Sequence, residues 1–263
     1  LKQVNSRKNI QKINLKSIEN SPLKRIFWQF FSFEKELKKY ACNHALILGG
    51  IYFFKDIPST IILQNLLPFD EINSRRYRLI KRIKLLIQKR IFSHSILKAK
   101  NVIFLTRSSK KIILNSLKIK LKNYKIIPHG IDKDIITKKI LRKKKFNNNQ
   151  EFKILYVSKI ELYKNQLDLI RAVKILYEKN YNITVSFVGP SYEPALKEFN
   201  LEKKINDPQK KFIRYLGNKS FDETLKLYQR FDLHVVPSTC ETFGQILLEA
   251  IARGIPNVCS DIE

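Results

Sequence analysis

Short apolar runs alternate with helix-like segments along most of the chain, and this alternation constrains the fold more than any other feature. The predicted strands are Ala45–Leu48, Ile61–Gln64, Val102–Leu105, Tyr124–Ile127, Phe152–Val157, Ile183–Val188, Phe212–Leu216, Leu233–Val236 and Pro256–Cys259. The predicted helices are Ser74–Leu97, Ser108–Leu117, Asn165–Glu178, Pro194–Ile205, Phe221–Arg230 and Gly244–Arg253. Strands that alternate with helices are typical of a doubly wound α/β fold with parallel sheets.

A polar stretch divides the pattern into two parts. Residues 138–150 contain Arg142–Lys145 and Asn147–Asn149, so they are the predicted linker. We expect an N-terminal domain over residues 1–137 and a C-terminal domain over residues 151–263. Ligands of open α/β sheets bind at the carboxyl ends of the strands, so two such domains would face each other across a cleft.

The positive charge belongs to one of these parts. The 263 residues carry a formal net charge of +28. Residues 1–150 hold 35 basic and 8 acidic side chains, net +27, whereas residues 151–263 hold 16 and 15, net +1. Codon bias toward Lys explains part of the excess, and an anionic partner of the first domain explains its asymmetry equally well.

Composition excludes several classes of protein. With 44% hydrophobic residues the chain can bury a core, which rules out a disordered basic tail. The three cysteines form no CxxC pair, so neither a disulfide framework nor a zinc site is indicated, and a cytoplasmic location is expected. The longest uncharged runs are too short to span a bilayer. Because the chain contains no Met, we expect it to be a piece of a longer protein.

The segment Pro237–Pro256 carries the clearest chemistry. A loop with Glu241 follows a strand, and a helix opens near Gly244. Free backbone N–H groups at a helix start attract phosphate, and glycine allows a ligand to approach the backbone closely. Glu249 lies inside this helix, so the two carboxylates can accept hydrogen bonds from two parts of one extended ligand.

This segment, PSTCETFGQILLEAIARGIPNV, resembles the E-x7-E motif of glycosyltransferase family 4 (glycosyl transferases group 1), whose members have the GT-B fold. The resemblance implies that Glu241 contacts the donor sugar at the reacting centre and that Glu249 holds the nucleotide ribose. It also implies that the backbone around Phe243, Gly244 and Gln245 contacts the diphosphate.

Further segments resemble the same family in order and spacing. ILYVSKIELYKNQLDLIRA matches the region that carries an Arg and a Lys for the diphosphate, with Lys164 at the Lys position. Lys159 stands where the family has Arg, which keeps the charge but loses the bidentate geometry. The resemblance also assigns residues to the donor (Gly189, Tyr215, Leu216) and to the acceptor side (Gly50, Asn65). His129, next to the turn at Gly130, is interpreted as structural.

The basic segment 74–97 contains Ile80, Ile83, Ile87 and Ile91 at helical spacing. We expect this isoleucine stripe to pack in the core, with a basic face that can meet anionic lipid. Nucleic acid is the competing partner for this basic face. We do not expect it to bind, because the sequence contains no nucleic-acid fold signature.

With this resemblance, the sequence predicts a glycosyltransferase that moves a sugar from a nucleotide-sugar, such as a UDP- or GDP-sugar, to a hydroxyl of a cell-surface glycan or lipid-linked acceptor. The resemblance implies that the enzyme is a retaining one. No cofactor is expected. Asp132-Lys133-Asp134 could hold a metal, but it lies away from the donor motif, so metal independence is expected. The alternative is a non-catalytic basic α/β protein that binds nucleic acid or an anionic surface.

Overall fold

The computed structural model describes residue 13 and residues 22–49, 51, 56–136 and 150–262. The predicted linker, apart from Gln150, and the predicted acceptor-side Gly50 lie outside these residues. We call residues 22–136 the N-terminal unit and residues 150–262 the C-terminal unit. In the part of the chain that is described, no helix is long and apolar enough to cross a membrane.

The N-terminal unit contains a parallel sheet of strands in chain order. Its elements are α1 (Pro22–Phe31), α2 (Phe33–Lys39), β1 (Ala45–Leu48), β2 (Ser59–Leu63), α3 (Glu71–Arg75), α4 (Leu79–Lys98), β3 (Asn101–Phe104), α5 (Arg107–Leu117) and β4 (Tyr124–Ile126). The described strands pair in the order β1-β2-β3-β4. Its core contains Ile61, Leu63 and Phe104, which are almost fully buried.

The C-terminal unit contains a second parallel sheet with a different strand order. Its elements are β5 (Phe152–Val157), α6 (Gln166–Glu178), β6 (Ile183–Val188), α7 (Glu193–Asn206), β7 (Ile213–Tyr215), α8 (Phe221–Tyr228), β8 (Leu233–Val236), α9 (Gln245–Ala252) and β9 (Asn257–Cys259). The order of its described strands is β7-β6-β5-β8-β9. This is the doubly wound arrangement, in which the strand order reverses between β5 and β8. The predicted α/β class with parallel sheets is therefore confirmed.

The prediction for the basic segment was wrong in two respects. There is no continuous helix from Ser74, because α3 ends at Arg75 and α4 begins at Leu79, after Arg78 in an extended conformation. Three of the four isoleucines do not pack in the core, since Ile80, Ile83 and Ile87 are 72%, 47% and 53% exposed, whereas Ile91 is partly buried against it.

A competing apolar set on the same helix explains this outcome. Leu85, Phe92 and Ile96 also recur at helical spacing, and these are the residues that α4 buries. Phe92 stacks against the buried Phe69, with ring centroids 6.0 Å apart. At about 100° per residue, Ile80, Ile83 and Ile87 lie on the opposite side of the helix and face solvent.

Candidate functional site

The candidate site lies where the strand order of the second sheet reverses. β5 and β8 are parallel neighbours, so their carboxyl ends open onto the same edge. Two loops follow these ends, which we call the lysine loop (residues 158–165) and the glutamate loop (residues 237–244). Asn165 joins them, because its side-chain Nδ2 donates to the Pro237 carbonyl at 2.8 Å.

The glutamate loop ends in a helix start with a special backbone conformation. Gly244 precedes α9 with φ +78°, in the left-handed region. A Cβ there would also lie 3.2 Å from the Leu247 Cδ1 atom. Both the backbone conformation and the limited space therefore favour glycine at this position. The first backbone N–H groups of α9, from Gln245 onward, have no partner within the helix and are suited to an anion.

Glu241 and Lys164 form an ion pair across the two loops. The Lys164 Nζ atom contacts the Glu241 Oε1 atom, and the two side chains are only 12% and 19% exposed. Partial burial strengthens such a pair, because the charges are less screened by water. The structure therefore brings the predicted catalytic carboxylate and one predicted diphosphate lysine into direct contact.

Lys159 has a carboxylate partner of its own. Its Nζ atom lies 3.4 Å from the Glu161 Oε2 atom, and Glu161 is 5% exposed. The hydroxyl of Tyr77, from the N-terminal unit, donates to Glu161 Oε1 at 2.9 Å. Burial and the charge of Glu161 both raise the pKa of Tyr77, so this phenol stays protonated and remains a donor. Both predicted diphosphate lysines are thus paired with carboxylates.

Glu249 lies inside α9 and is only 9% exposed. Burial raises the pKa of its carboxyl, and a hydrogen bond from Gln245 opposes that shift. A buried carboxylate of this kind gains most from ligand groups that donate hydrogen bonds to it.

A cavity of about 220 Å³ opens beside the glutamate loop and is lined by both units. Glu241, Phe243 and Gly244 line it from the C-terminal unit, and Thr106 and Ser108 line it from the start of α5. The two sides are hydrogen-bonded to each other, since the Thr106 hydroxyl donates to the Thr242 carbonyl at 3.1 Å. The Thr242 hydroxyl in turn donates to the Gln64 carbonyl at 3.0 Å.

Gly189, Tyr215 and Leu216 lie at the ends of β6 and β7 and do not line this cavity. The Tyr215 hydroxyl donates to the Gly189 carbonyl at 2.8 Å. Gly189 has φ +139°, and a Cβ there would lie 2.2 Å from the Ser158 carbonyl oxygen. Only glycine therefore lets the end of β6 approach the lysine loop so closely.

The predicted acceptor-side Asn65 and the Asp132–Asp134 pair, for which no metal was expected, make local hydrogen bonds. The Asn65 Oδ1 atom accepts the backbone N–H of Leu67 at 3.2 Å, at the start of a short 3-10 helix. Asp132 Oδ1 accepts the N–H of Asp134 at 3.1 Å and so caps another such helix. Among the described residues, no three His, Cys, Asp or Glu side chains converge as metal ligands.

Sequence reasoning missed the residues that join the units, above all Asn73, Tyr77 and Thr106. Thr106 could have been found from the sequence, because it forms a capping box with Ser109 at the start of α5. Asn73 and Tyr77 carry no local signal, since their roles depend on partners 166 and 84 residues away.

Comparison with solved structures identifies the fold class. The Anabaena protein HepE, solved in complex with UDP and glucose, superposes with a TM-score of 0.62 at 19% identity, covering 78% of this chain and 53% of that one. Sucrose-phosphate synthase from Thermosynechococcus elongatus gives a TM-score of 0.69 at 16% identity, covering 88% of this chain and 59% of that one. These neighbours are GT-B glycosyltransferases, and the predicted GT-B fold is confirmed.

The C-terminal part of the chain is similar to a known family. Residues 137–263 match the family model described as Glycosyl transferases group 1. A glycogen synthase of Mycobacterium tuberculosis (strain CDC 1551 / Oshkosh) is 31% identical over 109 residues, covering 41% of this chain. The chain spans 26% of that relative's length. The family resemblance drawn from the sequence is confirmed.

Proposed function

We propose that the protein is a retaining glycosyltransferase that moves a sugar from a nucleotide-sugar to a hydroxyl of a cell-surface glycan or lipid-linked acceptor. Residues 151–263 would form the donor domain, residues 1–137 the acceptor domain and residues 138–150 the linker. One observation carries the proposal: the Glu241–Lys164 pair lies beside the start of α9, at the reversal point of the second sheet.

The donor diphosphate would bind to Lys164, Lys159 and the backbone around Phe243, Gly244 and Gln245. Both lysines are paired with carboxylates in the structure, so diphosphate binding would exchange one anion for another. Once Lys164 turns to the diphosphate, Glu241 is released from its ion pair and can accept hydrogen bonds from the sugar. The same lysines and the helix start would then stabilise the charge that develops on the leaving nucleoside diphosphate.

The nucleoside would extend away from this centre. Glu249 would accept hydrogen bonds from the ribose, which compensates for the burial of its carboxyl. Backbone near Tyr215 and Leu216 would contact the base. Gly189, beside them, allows the end of β6 to approach the lysine loop closely. The structures of HepE with UDP and glucose make a UDP-sugar the first donor to test.

The transfer itself would proceed on one face of the sugar. The bond between the anomeric carbon and the diphosphate oxygen breaks, and the acceptor hydroxyl oxygen bonds to the same carbon from the same side. The proton of that hydroxyl passes to the departing diphosphate, so charge and atoms balance. The chain supplies positioning and cations, and the proposal needs neither a cofactor nor a metal.

The surface of α4 supports a position at the inner face of the cytoplasmic membrane. Its solvent-facing side exposes apolar residues (Leu79, Ile80, Ile83, Leu86 and Ile87) beside the exposed bases Arg82, Lys84 and Arg90. Apolar and basic side chains on one face are suited to an anionic lipid surface. This position would bring the acceptor side close to lipid-linked glycans. The alternative, a basic protein that binds nucleic acid, rests on surface charge alone.

The full-length protein should be incubated with a panel of UDP- and GDP-sugars, and released nucleoside diphosphate should be measured. We expect release with one donor, retention of the anomeric configuration by NMR, and a loss of at least about 100-fold in Glu241→Gln, as for other residues at a reacting centre. Glu198→Gln, on the exposed side of α7, is the matched control and should keep wild-type activity. Absence of release from the wild type, together with salt-sensitive DNA binding, would instead support the alternative.

A further inference from the structure

The glutamate loop is fastened to the N-terminal unit two residues before Glu241. The hydroxyl of Thr239 donates to the Asn73 Oδ1 atom at 2.8 Å, and the Asn73 Nδ2 atom donates to the Thr239 carbonyl at 3.2 Å. One side chain of α3 therefore satisfies both a hydroxyl and a backbone group of the loop. The Thr239 hydroxyl also lies 3.3 Å from the Tyr163 carbonyl, within its own unit.

Asn73 is itself fixed in orientation. Its Nδ2 atom also donates to Asp70 Oδ2 at 2.7 Å, and its backbone N–H donates to Asp70 Oδ1 at 3.0 Å. An ionised carboxylate only accepts hydrogen bonds, so the amide must present its NH₂ to Asp70 and its oxygen to the Thr239 hydroxyl. Asn73 is 5% exposed whereas Thr239 is exposed, so these bonds are partly shielded from water.

The next residue of the loop is buried in the same unit. Cys240 is 5% exposed and belongs to the core cluster that also contains Leu66, Leu67 and Phe69 of the N-terminal unit. Glu241 thus follows two consecutive residues that are held by the opposite unit, while its own carboxylate pairs with Lys164. The position of Glu241 depends on both units at once.

We propose that Asn73 is a positioning residue for Glu241: by fastening Thr239 it seats the glutamate loop and places the catalytic carboxylate when the two units are docked. The inference rests on the proposed function. Of the groups proposed to bind the nucleotide, Lys159, Lys164 and Glu249 lie outside the glutamate loop. Loss of the fastening should therefore slow turnover while leaving nucleotide binding largely intact.

The seating of the loop can be measured without activity through the buried thiol of Cys240. The other cysteines, Cys42 and Cys259, are more accessible and are replaced by Ser in a background used for this assay alone. Modification by a maleimide then reports how often the loop leaves the N-terminal unit. In this background Asn73→Ala should raise the rate of modification by about tenfold or more, since two partly buried hydrogen bonds between the units are lost.

The kinetic arm uses the full-length protein with its cysteines intact. Asn73→Ala and Thr239→Val should each lower kcat by about tenfold or more and change the donor KM by less than about threefold. Thr239→Ser keeps the hydroxyl and should behave as wild type. The double variant Asn73→Ala/Thr239→Val should be no slower than the slower single variant, because both remove one interaction.

An unchanged maleimide rate in Asn73→Ala, an unchanged kcat, or a loss of donor affinity as large as the loss of kcat would each overturn the positioning role. Additive effects in the double variant would do the same. A failure of the proposed function would give a different result. The maleimide rate of Asn73→Ala would rise as expected, but the wild type would release no nucleoside diphosphate from any donor.

Discussion

The two units are built on the same kind of sheet but use their side chains differently. β6 of the C-terminal unit is buried at all six positions, whereas β1 of the N-terminal unit alternates between buried and exposed, with Leu46 63% exposed. The C-terminal unit is nearly neutral, and the lysines of its candidate site, Lys159 and Lys164, are paired with carboxylates. The N-terminal unit carries an excess of positive charge on its surface and contributes neutral groups, Asn73 and Thr106, to the site.

This difference shows that the net charge of a unit does not indicate where the charged groups of the candidate site lie. The basic unit contributes amide and hydroxyl groups and the Arg76 guanidinium, which donates to Asn165 of the lysine loop at 2.7 Å, while the neutral unit holds the predicted catalytic carboxylate and the two predicted diphosphate lysines. Paired charges cancel in a net count, yet a bound diphosphate can replace the carboxylate partner of each lysine. The surplus charge of the N-terminal unit instead marks the surface that would meet an anionic membrane or acceptor.

The largest effect should come from Gly189→Ala in the C-terminal unit. Its Cβ would lie 2.2 Å from the Ser158 carbonyl oxygen, and the residue has φ +139°, so both the contact and the backbone are strained. We expect a loss of about 3 kcal/mol or more in the free energy of unfolding, measured by urea denaturation.

Two further glycines separate the effect of the close contact from the effect of the positive φ. Gly217 has φ +70° but open space around a Cβ, so Gly217→Ala should show only the backbone cost of about 1 kcal/mol. Gly130, in the N-terminal unit, has open space and no positive φ, so Gly130→Ala should change stability little. Equal losses at Gly189 and Gly217 would show that the close packing of the lysine loop against β6 does not contribute to the free energy of unfolding.

Local order along the chain explains what the sequence could predict. β1, β5, β6 and β8 were predicted with their exact bounds, because each is a short, mostly apolar run that ends at a glycine, a proline or a polar residue. The glutamate loop and the start of α9 were also predictable, since a strand, a glycine and a helix follow one another along the chain. These features depend on local order alone.

Contacts between segments that are separate in the sequence could not be predicted in this way. α4 offers two apolar sets at helical spacing, and only the packing of Phe92 against Phe69 decides which set is buried. Nothing near Asn73 in the sequence points to Thr239, and nothing near Lys159 indicates that Tyr77 reaches its partner Glu161. Such pairings appear only when two distant segments are brought together.

A smaller effect should follow from changing the exposed face of α4. Ile83→Asp/Ile87→Asp replaces two exposed residues, so the free energy of unfolding should change by less than about 1 kcal/mol. Binding to vesicles with about 30% anionic lipid, measured by co-sedimentation, should fall by about tenfold or more, because apolar contact is lost and repulsion is added. The matched control is Ile175→Asp, at an exposed position of α6. Equal vesicle binding by all three proteins would rule out this face as the lipid contact.

The most direct test of the account compares donor affinity in one variant from each unit, by calorimetric titration of the full-length protein with a UDP-sugar. Lys164→Ala removes a charge proposed to contact the diphosphate, so it should weaken binding by about tenfold or more. Asn73→Ala should bind the donor within about threefold of wild type, although it turns over slowly. Wild-type donor affinity in Lys164→Ala, or an equal loss in both variants, would contradict a donor site held by the C-terminal unit and completed by the N-terminal one.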